Sequence, residues 1–150
     1  MPPTLRRLLG TRLVAFVVAA VLFTAVDLVW LTAVATDLYD RELGPLLAEE
    51  PRPGAAVAFY VLFVAGLVHF VVVPALERGR VAWAFGSGAF FGLVTYATWD
   101  LTSLAVLEGF PASLVPIDLA WGAVLASSVA GGTTLVVRRW LPGRPAEEAR

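Results

Sequence analysis

The chain contains no cysteine and no lysine, and it has one histidine among its 150 residues. Without cysteine there is no disulfide, no thiol redox chemistry and no thiolate ligand for a metal. One histidine cannot build a multi-histidine metal or haem site, so an ion would have to bind carboxylate and hydroxyl oxygens. A phosphate-binding loop, a zinc motif and a nucleophile–base pair are also missing. We therefore predict no metal site, no cofactor and no nucleic-acid partner.

Charge is scarce as well. Charged residues make up 15% of the chain, hydrophobic residues make up 59%, and the mean hydropathy is +0.80. Soluble domains are about 25% charged and about 45–50% apolar. The composition therefore predicts an integral membrane protein, and the use of arginine for all 11 basic residues favours a bacterial source.

Four long apolar segments are present, and each exceeds the roughly 20 residues that a helix needs to cross about 30 Å of hydrocarbon. The predicted spans are residues 13–35, 56–76, 83–107 and 114–137. Residues 36–54, rich in proline and acid, are predicted to form a loop. The expected fold is all-α: a four-helix transmembrane bundle that forms a single membrane domain over residues 1–150.

The arginines indicate the orientation. Nine of the 11 fall on one side of the predicted bundle. They are Arg6, Arg7, Arg12, Arg78, Arg80, Arg138, Arg139, Arg144 and Arg150. Because cytoplasmic loops are enriched in basic residues, we expect a multi-pass protein of the inner (plasma) membrane with both termini in the cytoplasm. An alternative makes residues 1–35 a cleaved signal peptide that ends at Ala33-Val34-Ala35, but the apolar run is longer than such peptides have.

Three aspartates lie inside the apolar segments, with no basic residue nearby: Asp27, Asp100 and Asp118. An aspartate near the bilayer centre costs about 2.5–3.5 kcal/mol on insertion scales, so all three are expected to face the bundle interior. From the helix directions, they lie roughly 12, 10 and 6 Å below the outer boundary, in one layer. Three close carboxyls cannot all be ionised, so at least one is expected to be neutral at pH 7.

Aromatic and hydroxyl residues accompany the three acids. Trp30 and Trp121 each lie one helical turn after an aspartate, and Tyr96 lies one turn before Asp100. The third span carries the most polar stretch, so we expect it to be the central helix, with the nearly apolar second span at the periphery. The candidate binding residues are Asp27, Trp30, Tyr96, Trp99, Asp100, Ser103, Asp118 and Trp121. The alternative is that the carboxylates are structural hydrogen-bond acceptors and the indoles are interfacial anchors.

Small residues indicate where helices approach closely. Gly88 and Gly92 form a GxxxG motif on the same helical stripe as Asp100. This motif does not distinguish a contact within the chain from one between chains, so a homo-oligomer through these glycines is an open possibility. His69, in the second span, is expected to be a neutral packing residue, with a proton relay as the less favoured role.

The pattern of polar residues resembles a known family. Asp27-x-x-Trp30-Leu31, the run 96–102 (Tyr-Ala-Thr-Trp-Asp-Leu-Thr) and Asp118-x-x-Trp121-Gly122 are similar to the bacterial membrane proteins catalogued as domain of unknown function (DUF) 2177. Trp99 and Ser103 stand where the pattern of that family often has tyrosine and asparagine. The resemblance implies four membrane helices and assigns no activity.

Three functions fit these residues. The first is transport in which the outer-half site binds a proton, a small cation or an amine. The second is a membrane enzyme that acts on a lipid or isoprenoid, with an aspartic acid as the general acid. The third is a non-catalytic subunit of a membrane complex. The expected partners are the lipid bilayer and a proton, small cation or lipid ligand, and catalytic residues are not assigned.

Overall fold

The predicted all-α architecture is confirmed. The computed structural model describes residues 3–140, with the backbone alone for residues 3–8 and residue 45, and this part of the chain contains no strand. Four helices within it are long and apolar enough to span a membrane. They cover Leu9–Leu43, Pro53–Glu77, Val81–Val106 and Leu114–Trp140, and we refer to them as membrane helices 1 to 4.

Two of the membrane helices are interrupted by a wider π turn. Membrane helix 1 consists of α1 (Pro3–Trp30), a π segment (Leu31–Ala35) and α2 (Thr36–Leu43). Membrane helix 2 consists of α3 (Pro53–Leu67), a π segment (Val68–Val72) and α4 (Val73–Arg78). Membrane helices 3 and 4 are the uninterrupted helices α5 (Val81–Val106) and α6 (Leu114–Trp140).

The prediction of a loop over residues 36–54 is wrong for its first part. Residues Thr36–Leu43 continue membrane helix 1 for about two further turns before Gly44 ends it. This segment has no glycine or proline to stop the helix, and its acidic residues, which suggested a loop, are accommodated on an exposed face. Its helical form places Tyr39 over the bundle instead of in a surface loop.

Membrane helix 4 is the central helix. Half of its most apolar stretch is buried, against 17% for membrane helix 3 and 33% for membrane helix 2. The expectation that helix 3 is central and helix 2 peripheral is therefore wrong. Helix 2 contributes Phe63, Val64 and Leu67 to the core, where they join Phe23 of helix 1. Helix 4 takes the centre because its small residues let neighbours approach from more than one side.

Membrane helices 3 and 4 approach each other through glycine. A Cβ on Gly88 would lie 2.7 Å from the backbone oxygen of Ala126, and a Cβ on Gly92 would overlap the carbonyl group of Gly122. Gly88 and Gly92 are buried in this contact. The GxxxG motif therefore packs membrane helix 3 against membrane helix 4 within the chain.

His69 lies on the outside of the bundle. Its side chain is exposed and meets the edge of Phe70, with ring centroids 4.7 Å apart. The buried face of this π segment is formed by Val68, Val71 and Val72. The side chain of His69 points away from this buried face, towards the outside of the bundle. The expectation that His69 is a packing residue is therefore wrong.

The bundle has two chemically different ends. The acidic end holds α2 and the connections 44–52 and 107–113, with most of the acidic side chains outside the apolar segments. The arginine end holds the turn at Gly79, where φ is 63°, and the last turn of α6.

We predict that Gly92→Ala destabilises the bundle, since the new methyl group has no space against helix 4. Overpacking costs about 1–3 kcal/mol, and the expected loss lies in this range. Gly86→Ala is the matched control, because a Cβ there meets nothing within 4 Å on the same helix. Unfolding by denaturant in detergent measures both, and an equal effect of the two substitutions would contradict the close approach.

Candidate functional site

All three intramembrane aspartates are buried at the acidic end of the bundle. Asp27, Asp100 and Asp118 are 7%, 0% and 4% exposed. Asp100 lies near the end of α5, and Asp118 lies near the start of α6, so the antiparallel helices bring them to a similar depth. Together with the tyrosines described below, we call this set the aspartate layer.

Asp27 is bound by Tyr60. The Tyr60 hydroxyl, on membrane helix 2, donates a hydrogen bond to Oδ2 of Asp27. The Tyr60 ring is held edge-on to Phe23, one turn before Asp27, with centroids 4.8 Å apart. A carboxylate that accepts a buried hydroxyl is partly compensated for its loss of water.

Asp118 is bound by Tyr39 of α2. The Tyr39 hydroxyl donates to Oδ1 of Asp118 at 3.0 Å, and nearby the Ser113 hydroxyl donates to Oε2 of Glu42 at 2.6 Å. These two bonds tie α2 across the start of α6. As a result, α2 covers the aspartate layer at the acidic end.

The π segment of membrane helix 1 makes the Tyr39 contact possible. Tyr39 follows Asp27 by 12 residues, and in a regular α-helix it would point about 120° away from Asp27. The π turn has about one extra residue per turn, and it reduces the angle between the two side chains by roughly 90°. Asp27, Ala35 and Tyr39 therefore stay near one face of the helix, and Thr36 stabilises the turn by donating from Oγ1 to the Leu31 carbonyl at 2.7 Å.

Asp100 differs from the other two aspartates. Its side chain is fully buried, and neither of its carboxyl oxygens has a hydrogen-bond partner within residues 3–140. The carboxyl group that acts on it electrostatically is that of Asp118, which also carries a negative charge when it is ionised. Ser103, one turn further along α5, is also buried. A buried polar group without a hydrogen-bond partner destabilises a fold. The bundle tolerates this cost at Asp100, whereas tyrosine hydroxyls reduce it at Asp27 and Asp118.

Tyr96 lies between the two bonded pairs. It is half-buried, and it interacts electrostatically with Asp27 and Asp118 as well as with Tyr39 and Tyr60. Its ring packs against the backbone of Gly122, where a Cβ would overlap the ring atoms. The glycine of helix 4 therefore provides the space that lets Tyr96 reach the centre of the layer.

Two of the three predicted tryptophans stack on each other. The rings of Trp30 and Trp121 are 4.4 Å apart and nearly parallel, at 9°. Both indole nitrogens are buried, and neither has an acceptor in hydrogen-bonding geometry. Each ring covers one face of the other, which leaves less aromatic surface for a cation. The pair closes the layer on the side of helices 1 and 4.

Trp99 is not brought into the layer. Its side chain is 60% exposed and meets Phe110 edge-on, at 6.4 Å between centroids. Neighbouring residues of an α-helix point about 100° apart, so turning Asp100 inward turns Trp99 towards the lipid. The other predicted site residues are buried or half-buried.

The three carboxyl groups do not meet at one point. Within residues 3–140, no group of three or more His, Asp or Glu side chains could hold a metal ion. The layer instead has two parts, the Asp27–Tyr60 pair and the group of Asp100, Asp118 and Tyr39, with Tyr96 between them.

Sequence reasoning missed Tyr39 and Tyr60. Tyr39 falls in the loop that is predicted over residues 36–54, and Tyr60 falls in the helix that is predicted to be peripheral. One signal was present: the chain has three tyrosines, and all three enter the layer. A phenol near the depth of a buried carboxylate is a candidate donor to it.

The comparisons with known proteins identify the family. The model of the family described as "Predicted membrane protein (DUF2177)" matches residues 12–135, and the chain belongs to this family. No curated protein and no solved structure matches the chain. The match covers the whole aspartate layer.

We predict that Tyr39 and Asp118 are energetically coupled. In a double-mutant cycle with Tyr39→Phe and Asp118→Ala, the expected coupling is about 1 kcal/mol, because hydrogen bonds between membrane helices measure about 0.6–2 kcal/mol. Unfolding in detergent gives the four stabilities of the cycle. Tyr60→Phe combined with Asp118→Ala is the control, and its effects should add within about 0.5 kcal/mol. Equal coupling in both cycles would show that the effect is not the observed bond.

Proposed function

We propose that the protein is a small membrane transporter whose aspartate layer binds and passes a proton or a small monovalent cation. One observation carries this proposal: Asp100 is fully buried, and both of its oxygens lack a partner. A purely structural acceptor would be bonded, as Asp27 and Asp118 are by tyrosine hydroxyls. An unbonded carboxyl in an apolar interior is suited to take up a proton or a cation.

The neighbours of Asp100 support a route for the bound species. Asp118 acts on Asp100 electrostatically, and Asp118 in turn accepts the hydroxyl of Tyr39. Tyr39 belongs to α2, which reaches the connection at the acidic end. Carboxyl and phenol groups both accept and donate protons, so this series supports exchange between Asp100 and the acidic end.

The enzyme alternative has less support from the geometry. Chemistry on an isoprenoid would use indole faces to stabilise a carbocation, and the stacking of Trp30 on Trp121 covers one face of each ring. The subunit alternative predicts that Asp100 only maintains packing. The experiment on Asp100 below separates that role from transport.

We also propose that the aspartate layer lies in the outer half of a bacterial inner membrane, with both termini in the cytoplasm. Among the described arginine side chains, Arg12, Arg78, Arg80, Arg138 and Arg139 share one end of the bundle, and only Arg41 and Arg52 belong to the other. Basic residues are enriched on the cytoplasmic side of membrane proteins. This distribution supports a cytoplasmic arginine end and an external acidic end.

Asp100→Asn is expected to leave the bundle folded and to abolish transport. The amide has nearly the same shape and keeps a carbonyl, but it cannot exchange a proton or provide a negative charge. In sealed vesicles containing the purified protein, a trapped pH-sensitive dye measures proton entry, and uptake of labelled monovalent cations is measured in parallel. We expect the flux of the variant to fall at least about tenfold, as for loss of an essential ionisable group.

Asp37→Asn is the matched control, because Asp37 is an exposed aspartate of α2 outside the layer. It should retain the flux of the wild-type protein. Full flux in folded Asp100→Asn protein, or no proton or cation flux through the wild-type protein, would refute the transport proposal.

The orientation is tested by cysteine labelling, for which the absence of native cysteine makes single substitutions specific. We expect Glu50→Cys, in the exposed connection at the acidic end, to react with a membrane-impermeant maleimide in intact cells. Glu77→Cys, exposed at the arginine end, should react only after the cells are opened. The reverse pattern would place the aspartate layer in the inner half.

A further inference from the structure

In the turn at the arginine end, the side chain of Arg78 is held in place by contacts that include no carboxylate. The guanidinium of Arg78 donates to the Pro74 carbonyl at 3.1 Å, and it lies over the indole of Trp83 at 4.5 Å from the ring centroid. Both contacts orient the group, but neither neutralises its charge. Most of its five N–H donors remain available.

A second arginine reaches the same turn from membrane helix 4. Arg138 donates to the carbonyl of Gly79 at 3.0 Å, so its guanidinium lies beside the residue that follows Arg78. Arg80, on the other side of Gly79, is exposed, and its side chain makes no hydrogen bond or ion pair with the described residues. Three arginines thus share one turn, because Arg78 and Arg80 flank Gly79 in the chain and the guanidinium of Arg138 binds its carbonyl.

These charges have no carboxylate partner within residues 3–140. The only ion pair in this range is Arg41 with Glu42, at the acidic end. Glu77 is the sole acid near the turn, and its exposed side chain pairs with none of the three arginines. Helix C-termini near Arg78 and Arg138 offset part of the repulsion, but dipole effects are small on exposed surfaces. A bound anion would offset the repulsion that remains between the three arginines.

We propose that Arg78, Arg80 and Arg138 bind the phosphate of an anionic phospholipid headgroup. Guanidinium forks match phosphate oxygens in a bidentate geometry, and orientation of Arg78 by Trp83 lowers the entropy cost of binding. The neighbouring surface fits the rest of a lipid. Trp83 and Trp140 are exposed indoles at helix ends, where they prefer the membrane interface, and Leu135 presents an exposed apolar side chain for an acyl chain.

This site is separate from the aspartate layer, and its test does not depend on transport. Thermal unfolding of the purified protein is measured in detergent with added phosphatidylglycerol, phosphatidylcholine or inorganic phosphate. We expect phosphatidylglycerol to raise the midpoint by about 5 °C at saturation, because a ligand stabilises the state that binds it. Phosphatidylcholine and inorganic phosphate should give little change.

Variants assign the effect to these arginines. Arg78→Gln combined with Arg138→Gln should abolish the shift. Arg80→Gln, which has no described contact to lose, should reduce the shift without changing the midpoint measured in detergent alone. Arg52→Gln, an exposed arginine at the acidic end, is the control and should keep the full shift.

Three results would overturn the lipid site. The first is an equal shift with phosphatidylcholine, and the second is an equal shift with inorganic phosphate, which would identify a free anion as the ligand. The third concerns Glu147 and Glu148, which lie outside the described residues. If Glu147→Gln with Glu148→Gln lowers the midpoint in detergent alone and enlarges the lipid shift, carboxylates of the chain itself occupy the arginines.

Discussion

A carboxyl group in the hydrocarbon core must face away from lipid, and the arrangement of this bundle follows from that constraint together with the tyrosine donors that meet two of its three acids. Each aspartate comes from a different membrane helix, so three helix faces have to point to the same interior. The donors come from elsewhere, Tyr60 from helix 2 and Tyr39 from the extension of helix 1. The two acid–phenol pairs therefore fix the rotation of several helices at once. Apolar packing alone fixes the rotation of a helix only weakly in a membrane.

Close packing of helices 3 and 4 is part of the same arrangement. Gly92 allows contact with the backbone of helix 4, and Gly122 gives space for the ring of Tyr96. With a larger residue at position 122, Tyr96 could not keep its place between Asp27 and Asp118. The small residues thus contribute to the site as well as to stability, since they set how near the polar groups of the two helices come.

The sequence predicts the burial of the acids well, because the high cost of a carboxyl group facing lipid is enough to turn Asp27, Asp100 and Asp118 inward. It also predicts the buried stripe of Gly88, Gly92 and Asp100, for which a regular helical period suffices. It fails for Tyr39, because a π turn changes the phase of the helix and apolar periodicity does not reveal such a turn. The sequence also does not predict which helix is most buried. A helix is central because neighbouring helices pack on several of its sides, and this depends on tertiary contacts.

Of the three aspartates in the layer, Asp100 is the one that the bundle leaves without a hydrogen-bond partner, and α2 lies over the neighbouring Asp118. One half-buried bond, from Tyr39 to Asp118, attaches α2 to α6, and one exposed bond, from Ser113 to Glu42, attaches it to the connection before α6. Exposed polar contacts contribute little to stability because water competes for them. The Tyr39 bond is therefore the half-buried side-chain contact that holds α2, a continuation of membrane helix 1, over the start of α6. Uptake of a proton by Asp118 weakens the same bond, since a neutral carboxyl is a poorer acceptor than a carboxylate. On the transport proposal, a proton that arrives at the Asp100–Asp118 pair would therefore loosen the contact between α2 and α6, and the single phenol of Tyr39 would link proton uptake to the acidic end.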